Sequence, residues 1–351
     1  RIVEMVHEDL RPSRIMTRKA FENAIVASSA LGASTNCPPH VTAIARHMGV
    51  TLTMEDWQSH GANVPLLVNC MPAGEHLGEG FFRAGGVPAA MAELIAGGLI
   101  DETALTVTGR DVGHEYRGRF THDRAVIRPL SEPLKERAGF LVLSGNLFDS
   151  AVMKTSVIGP EFRRRYLENP SAPGAFEARV IVFEGPEDYH ARINDPALAI
   201  GEDCILVVRN CGPVGYPGSA EVVNMQPPDA LLKRGIADLP TMGDGRQSGT
   251  SASPSILNVS PEAVVGGGLA LLKTGDRIRI DLNARRVDVL LPEEELARRR
   301  AAWTPPALEN ATPWQELYRA TVGPLATGAC MEPALAYLDI LAKNPVPRDS
   351  H

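Results

Sequence analysis

Near residue 101 the chain changes texture, and that change limits its architecture more than any other feature. From there on, short β-branched runs recur between Gly, Pro and Asn, at residues 105–108, 125–127, 140–143 and 151–153. Stronger strand patterns follow at 179–183 and 204–208. Residues 277–282 and 286–291 read as a hairpin with Asn283-Ala284 near its turn. Helices predicted over 186–193, 228–233 and 293–300 decorate these strands. This is the pattern of a β-rich barrel or sandwich with helical insertions, from about residue 101 to 310. Residues 1–100 read differently. Apolar residues fall at helical spacing over 15–31, with Thr17 as a cap, and a second helix over 41–48 follows Pro38-Pro39. A strand-like run at 66–69 leads to Pro72, and a glycine turn leads into a helix over 89–95 with Pro88 at its first position. Helices alternating with short strands suggest an α/β layer. The remainder, 311–351, reads as a tail whose segment 314–322 packs back on the body.

With 351 residues the chain can bury a substantial core, and its 44% hydrophobic and 22% charged content is that of a soluble globular protein. A net charge of -7 argues against nucleic acid and against an anionic membrane surface. The longest apolar run, around 89–100, is interrupted by Glu93, Gly97 and Gly98, so no membrane span is expected. The chain starts at Arg1 without a signal-peptide pattern, which suggests a processed start or the back portion of a longer protein. Five cysteines at irregular spacing, with no C-x-x-C pair, indicate neither a zinc site nor a disulfide framework; reduced thiols and a cytoplasmic location are expected. Cys37 and Cys211 are either metal ligands or small buried hydrophobes. Glu293-Glu294-Glu295 before Arg298-Arg299-Arg300 reads as a helix face whose charges pair with one another.

Three polar stretches stand out. Residues 240–263 contain Gly243-Asp244-Gly245-Arg246-Gln247-Ser248-Gly249-Thr250-Ser251, with no amphipathic period and with Pro254 barring a helix. It reads as a loop presenting an acid, a base and hydroxyls, although Gly-Asp-Gly and Ser-Gly-Thr-Ser are also ordinary turn vocabulary. The second is Ser34-Thr35-Asn36 after the first helix, a helix end followed by a polar turn. The third is Asn210-Cys211-Gly212-Pro213-Val214-Gly215-Tyr216-Pro217-Gly218-Ser219-Ala220-Glu221. Ser219 reads as a helix N-cap there, and Glu221 as a first-turn acid or a metal ligand. Its glycine spacing matches no nucleotide-binding loop, and the serine of residues 245–249 does not lie in a nucleophile elbow.

Taken together, these stretches resemble the IlvD/Edd dehydratases, which include dihydroxyacid, phosphogluconate and sugar-acid dehydratases. Asp244-Gly245-Arg246-x-Ser248-Gly249 is similar to that family's T-D-G-R-x-S-G signature, with Gly243 for threonine and Gln247 for a hydrophobe. The segment 210–221 is similar to its G-P-x-G-x-P-G-M-P-E-M motif, and Gly32-Ala33-Ser34-Thr35-Asn36 to its G-G-S-T-N segment. The departures point to the sugar-acid (L-arabinonate or D-xylonate) branch, because Gln247 can hydrogen-bond hydroxyls.

The resemblance implies an α/β part followed by a swivelling β/β/α barrel, as in an aconitase-type terminal domain. It implies a hydro-lyase that converts an aldonate to its 2-keto-3-deoxy acid, with Mg2+ and a 2Fe-2S cluster as cofactors. Ser248 would be the base, Glu221 a Mg2+ ligand, and Thr250, Ser34, Thr35 and Asn36 substrate-binding residues. A homo-oligomer, dimer or tetramer, is implied as well. No cluster-binding cysteine motif is present, so the chain is expected to be a carboxy-terminal portion only, inactive alone. Dihydroxyacid or phosphogluconate dehydration remains an alternative, as does a non-catalytic sugar-acid-binding remnant.

Overall fold

Alternation of apolar residues decides where this chain makes sheet. In β3 (Ala175–Phe183) Val180 and Val182 face one side and Ile181 and Phe183 the other, and all four are buried. A strand covered on both faces has no polar side to show, which explains its near-continuous apolar reading. The computed structural model describes residues 1–247 and 254–343, the last five by backbone alone. Within them β1 (Phe140–Leu143), β2 (Ser150–Lys154), β3, β4 (Cys204–Val208), β5 (Glu221–Val222), β6 (Thr241–Gly243), β7 (Arg246–Gln247), β8 (Ser255–Ser260), β9 (Arg277–Asp281) and β10 (Arg286–Val289) are the strands.

Eight of them form one sheet in the order β1-β2-β8-β6-β4-β3-β9-β10, and β5 pairs with β7 separately. The four central strands run parallel, while β1, β2, β9 and β10 add antiparallel wings. The two wings meet. Ser144, just past β1, bridges to Arg286: its amide donates to the Arg285 carbonyl (3.1 Å), and its carbonyl accepts from the Val287 amide (2.8 Å). The mixed sheet is thereby nearly closed into a barrel, with Val180, Val207, Met242, Ile256, Ile278 and Val287 in its interior. On the outer face of the central strands, Ile181, Leu206 and Val208 pack under Tyr189, Leu231 and Leu239.

The helices before residue 140 form a layer beside this barrel. Its main members are Arg18–Ala30, Cys37–His47 and Gly86–Ala96. Trp57 is fully buried and meets Phe140 of β1 edge to face, with ring centroids 5.5 Å apart. Gln58 accepts from the Val142 amide (3.0 Å), so the layer is tied to the barrel by both packing and a hydrogen bond. At the other end, Arg319 of the helix Pro313–Thr321 donates to the Val214 carbonyl (2.9 Å), which holds the tail against the body. The expected self-pairing of the acidic and basic run is present: Glu295 accepts from both Arg298 and Arg299, and Arg299 also reaches Asp276.

Several expectations need correction. The second helix starts at Cys37 and not at 41, because Pro38 and Pro39 sit in its first turn, where no amide hydrogen is needed. For the same reason Pro88 is tolerated two residues inside the helix that begins at Gly86. The runs at 66–69, 105–108 and 125–127 are not strands: they carry only single bridges (Leu66 to Lys135, Val68 to Ile127, Leu105 to Asp111), and residues 107–108 and 125–126 lie in turns. The stretch 240–263 is not simply a loop. It contributes β6, β7 and the fully buried β8, whose serines and asparagine hide it from a search for apolar alternation.

Gly145 marks the seam. Any Cβ there would collide with the Val287 carbonyl oxygen. Gly145→Ala is therefore expected to destabilise the protein by about 1–3 kcal/mol, the usual cost of overpacking, read as a lowered urea midpoint with unchanged m-value. An unchanged midpoint would contradict the closed seam.

Candidate active site

The site is built on a carboxylate that water does not reach. Asp244 is 0% exposed and follows β6 directly. It accepts the backbone amides of Asn210 (3.0 Å), Cys211 (2.9 Å) and Ala263 (2.8 Å). Glu262 does the same for Val214 (2.8 Å) and Gly215 (2.9 Å). Two buried acids thus gather the 210–215 loop over the end of the sheet and satisfy five amides that would otherwise be buried unpaired. Burial pushes the carboxyl pKa of both upward against the pull of these amides, that of Glu262 to about 7, with the neighbouring Asp244 charge adding to the rise. Gly245 is required beside Asp244, because a Cβ there would strike the Cys211 carbonyl.

The gathered loop then runs through Ser219, which takes a left-handed conformation (φ 49°), into β5. No helix starts there, so the expected capping role for Ser219 is replaced by this turn. Pairing of β5 with β7 sets Glu221 opposite Arg246 and Val222 opposite Gln247. Arg246 donates from both Nε (2.8 Å) and a terminal nitrogen to the Ser219 carbonyl, and its other terminal nitrogen faces His40 (3.0 Å) and Asn36. Asn36 completes the arrangement by donating its side-chain amide to Glu221. Asn258 of β8 holds the same turn from below, donating to the Thr35 carbonyl (3.2 Å).

Between these parts lies a cleft of about 300 Å³, lined by Ser34, Thr35, Lys154, Glu221, Gln247 and Ser255, with Met71 and Pro72 on one side. This size lies at the small end of ligand pockets. The structure therefore brings Ser34, Thr35 and Glu221 together, with Asn36 bonded to the last. Ser248 and Thr250 lie outside the described residues; Gln247, the residue before Ser248, lines the cleft. Gln247 is 3% exposed, and neither atom of its amide has a hydrogen-bond partner among the described residues. Lys154 was not foreseen. Its only sequence signal is a lysine ending the apolar run Ala151-Val152-Met153.

Glu221 is an exposed carboxylate among oxygen donors, which suits one ligand position of a hard cation such as Mg2+. No group of three or more His, Cys, Asp or Glu able to hold a metal ion occurs among the described residues, and Cys37, Cys70, Cys204, Cys211 and Cys330 are all free. Burial raises the thiol pKa of Cys37 and Cys211, which disfavours the thiolate that metal binding needs. These donors do not fit an iron–sulfur cluster.

Residues 125–329 match the family model for the dihydroxy-acid/6-phosphogluconate dehydratase C-terminal region, and residues 1–115 match the model for its N-terminal region. The chain belongs to the dihydroxy-acid/6-phosphogluconate (IlvD/Edd) dehydratase family. The expectation of a carboxy-terminal portion only is not borne out, because residues 1–115 fall in the N-terminal model of this family. Over its whole length the chain is 57% identical to the D-xylonate dehydratase of Caulobacter vibrioides and covers 58% of that protein. It is 42% identical to the L-arabinonate dehydratase of Rhizobium leguminosarum bv. trifolii, again with all of this chain and 58% of the relative aligned. A dihydroxy-acid dehydratase of Nitratidesulfovibrio vulgaris is 39% identical over 94% of this chain and 57% of its own. The chain thus spans somewhat over half the length of the curated IlvD/Edd relatives it matches.

The raised Glu262 carboxyl has a consequence for stability. Folded Glu262 holds its proton up to about pH 7, whereas a free glutamate loses it near 4.5. Between those values the folded state binds more protons, so stability falls as pH rises. Glu262→Gln is expected to flatten this fall between about pH 5 and 7, by up to about 3 kcal/mol for a shift of this size. Urea titrations of both proteins across that range measure it, and parallel curves would contradict the assignment.

Proposed function

We propose that the protein carrying this chain is a hydro-lyase that dehydrates a sugar acid to its 2-keto-3-deoxy acid in this cleft. The observation that carries the reading is the convergence of Ser34, Thr35 and Glu221 on the cleft that Gln247 lines, immediately before Ser248. Similarity to D-xylonate and L-arabinonate dehydratases supports the choice of aldonate. The reaction takes the proton from the carbon beside the carboxylate and expels hydroxide from the next carbon. Ser248 is the base in this reading, lying one residue after a cleft-lining side chain. Thr250 orients Ser248 or the substrate, while Ser34, Thr35 and Asn36 hydrogen-bond the polyol. Glu221 would supply one oxygen ligand to Mg2+. When bound, that ion supplies a Lewis acid for charge building on the substrate oxygens. The family resemblance extends this reading to a 2Fe-2S cluster for which the cysteines of this chain are not the ligands, and to a homodimer or homotetramer.

The cleft also separates the substrates of the family. A branched aliphatic acid gains nothing from the unpartnered Gln247 amide, whereas a polyol offers it hydroxyls. A phosphorylated acid calls for several cations, and Lys154 is the single cationic side chain among the described cleft residues.

Ser248→Ala in the holoenzyme is expected to lower kcat for 2-keto-3-deoxy acid formation from D-xylonate or L-arabinonate by about 10²–10⁴-fold, with KM little changed. Wild-type turnover of 2,3-dihydroxyisovalerate faster than of either aldonate would overturn the sugar-acid reading, and undiminished kcat in the variant would overturn Ser248 as base.

A further inference from the structure

Lys154 ends β2, opposite Phe140 of β1, and it is 6% exposed. Lysine is rarely buried to this degree without an anionic or hydrogen-bonding partner. Here the ammonium, with three donors, makes no hydrogen bond or ion pair with any described residue. The nearby ionisable groups that act on it are Cys37, a thiol that burial keeps protonated, and Lys135, a second cation. Lys135 is itself satisfied by the carbonyls of Ser156 and Ile158, so the two lysines differ in kind. Burial pushes the Lys154 pKa down to about 8, which leaves the amine mainly protonated at neutral pH. Its side chain lines the same cleft as Glu221, Ser34 and Thr35. A cation on a cavity wall, its stem buried and its donors turned to no described protein partner, suits an anion that enters the cavity.

We propose that Lys154 is the residue that anchors the carboxylate of the substrate, its ammonium donating to a carboxylate oxygen and so fixing which end of the acid enters the cleft first. This rests on the sugar-acid reading for the identity of the acid, but not for the chemistry of the anchor. Lys154 of β2 and Glu221 of β5, with the Ser34-Thr35 turn beside it, line one cleft, in which the ammonium is the single cationic side chain among the described residues. Lys154 is a positioning residue in this account and takes no proton in the reaction.

The test is calorimetric titration of wild type, Lys154→Met and Lys154→Gln with D-xylonate, glycerate and the uncharged xylitol, in buffer containing Mg2+. Met keeps the length of the buried stem without the charge. Gln keeps polarity without the charge, and serves if the Met variant fails to fold by circular dichroism. The expected result is about a 30-fold or greater loss of affinity for both acids, the usual outcome when one partner of a buried charge pair is removed, with xylitol binding unchanged. Undiminished binding of both acids by a folded variant overturns the anchor while leaving the sugar-acid reading intact. An equal loss for xylitol overturns it too, since the effect would then be on the cleft as a whole. Lysine-dependent binding of glycerate, with no binding of D-xylonate to wild type, supports the anchor and overturns the sugar-acid reading. Failure of wild type to bind either acid overturns both.

Discussion

Asp244 is the constraint on which the site depends. A carboxylate with no water contact survives only if the protein supplies its hydrogen bonds, and here three backbone amides from two distant segments do so. One of those segments begins the loop that ends at Glu221, and the other adjoins the second buried acid, Glu262. Removing the carboxylate would leave three buried amides unpaired, each a cost of roughly 1–3 kcal/mol. The motif acid that looks from sequence like a reactive group is thus the group that positions the others. Its own lone pairs are turned into backbone and away from the cleft.

From that anchor the geometry follows outward. With the 210–215 loop fixed, β5 lies parallel to β7, and Arg246 stitches Ser219, His40 and Asn36 into one contact. Asn36 belongs to the helical layer and Glu221 to the small β5-β7 sheet, so their hydrogen bond joins the two at the rim of the cleft. Among the described residues the polar groups facing the cleft are few: a carboxylate, an ammonium, hydroxyls, and a glutamine amide without a described partner. Such a set matches a small acid rich in hydroxyls better than an apolar one.

Much of this was legible in the residues, and the gaps have physical causes. The strands β3 and β4 announce themselves because burial on both faces leaves unbroken runs of Val, Ile and Leu. β8 does not, because Ser255, Asn258 and Ser260 are buried in it: Ser255 accepts from Thr241, and Asn258 holds the Thr35 turn. Glu221 was found through motif order, yet its strand was not, since a two-residue pairing has no periodicity to read. Lys154 and Glu262 were missed for another reason. Each is a charged residue whose meaning comes from what surrounds it, and burial arises only when distant segments are brought together. Conversely, the self-pairing of Arg298 and Arg299 with Glu295 was legible because these partners lie within one helical turn.

What remains decisive is where a sugar acid sits. A crystal structure of this chain soaked with D-xylonate tests the account most directly, because it reads the ligand's position without relying on turnover. The account predicts density in the cleft among Ser34, Thr35, Lys154 and Glu221, with Asp244 still bonded to the amides of Asn210, Cys211 and Ala263. Density in the groove lined by Pro213, Val265, Val322 and Pro324, with the cleft empty, would contradict it.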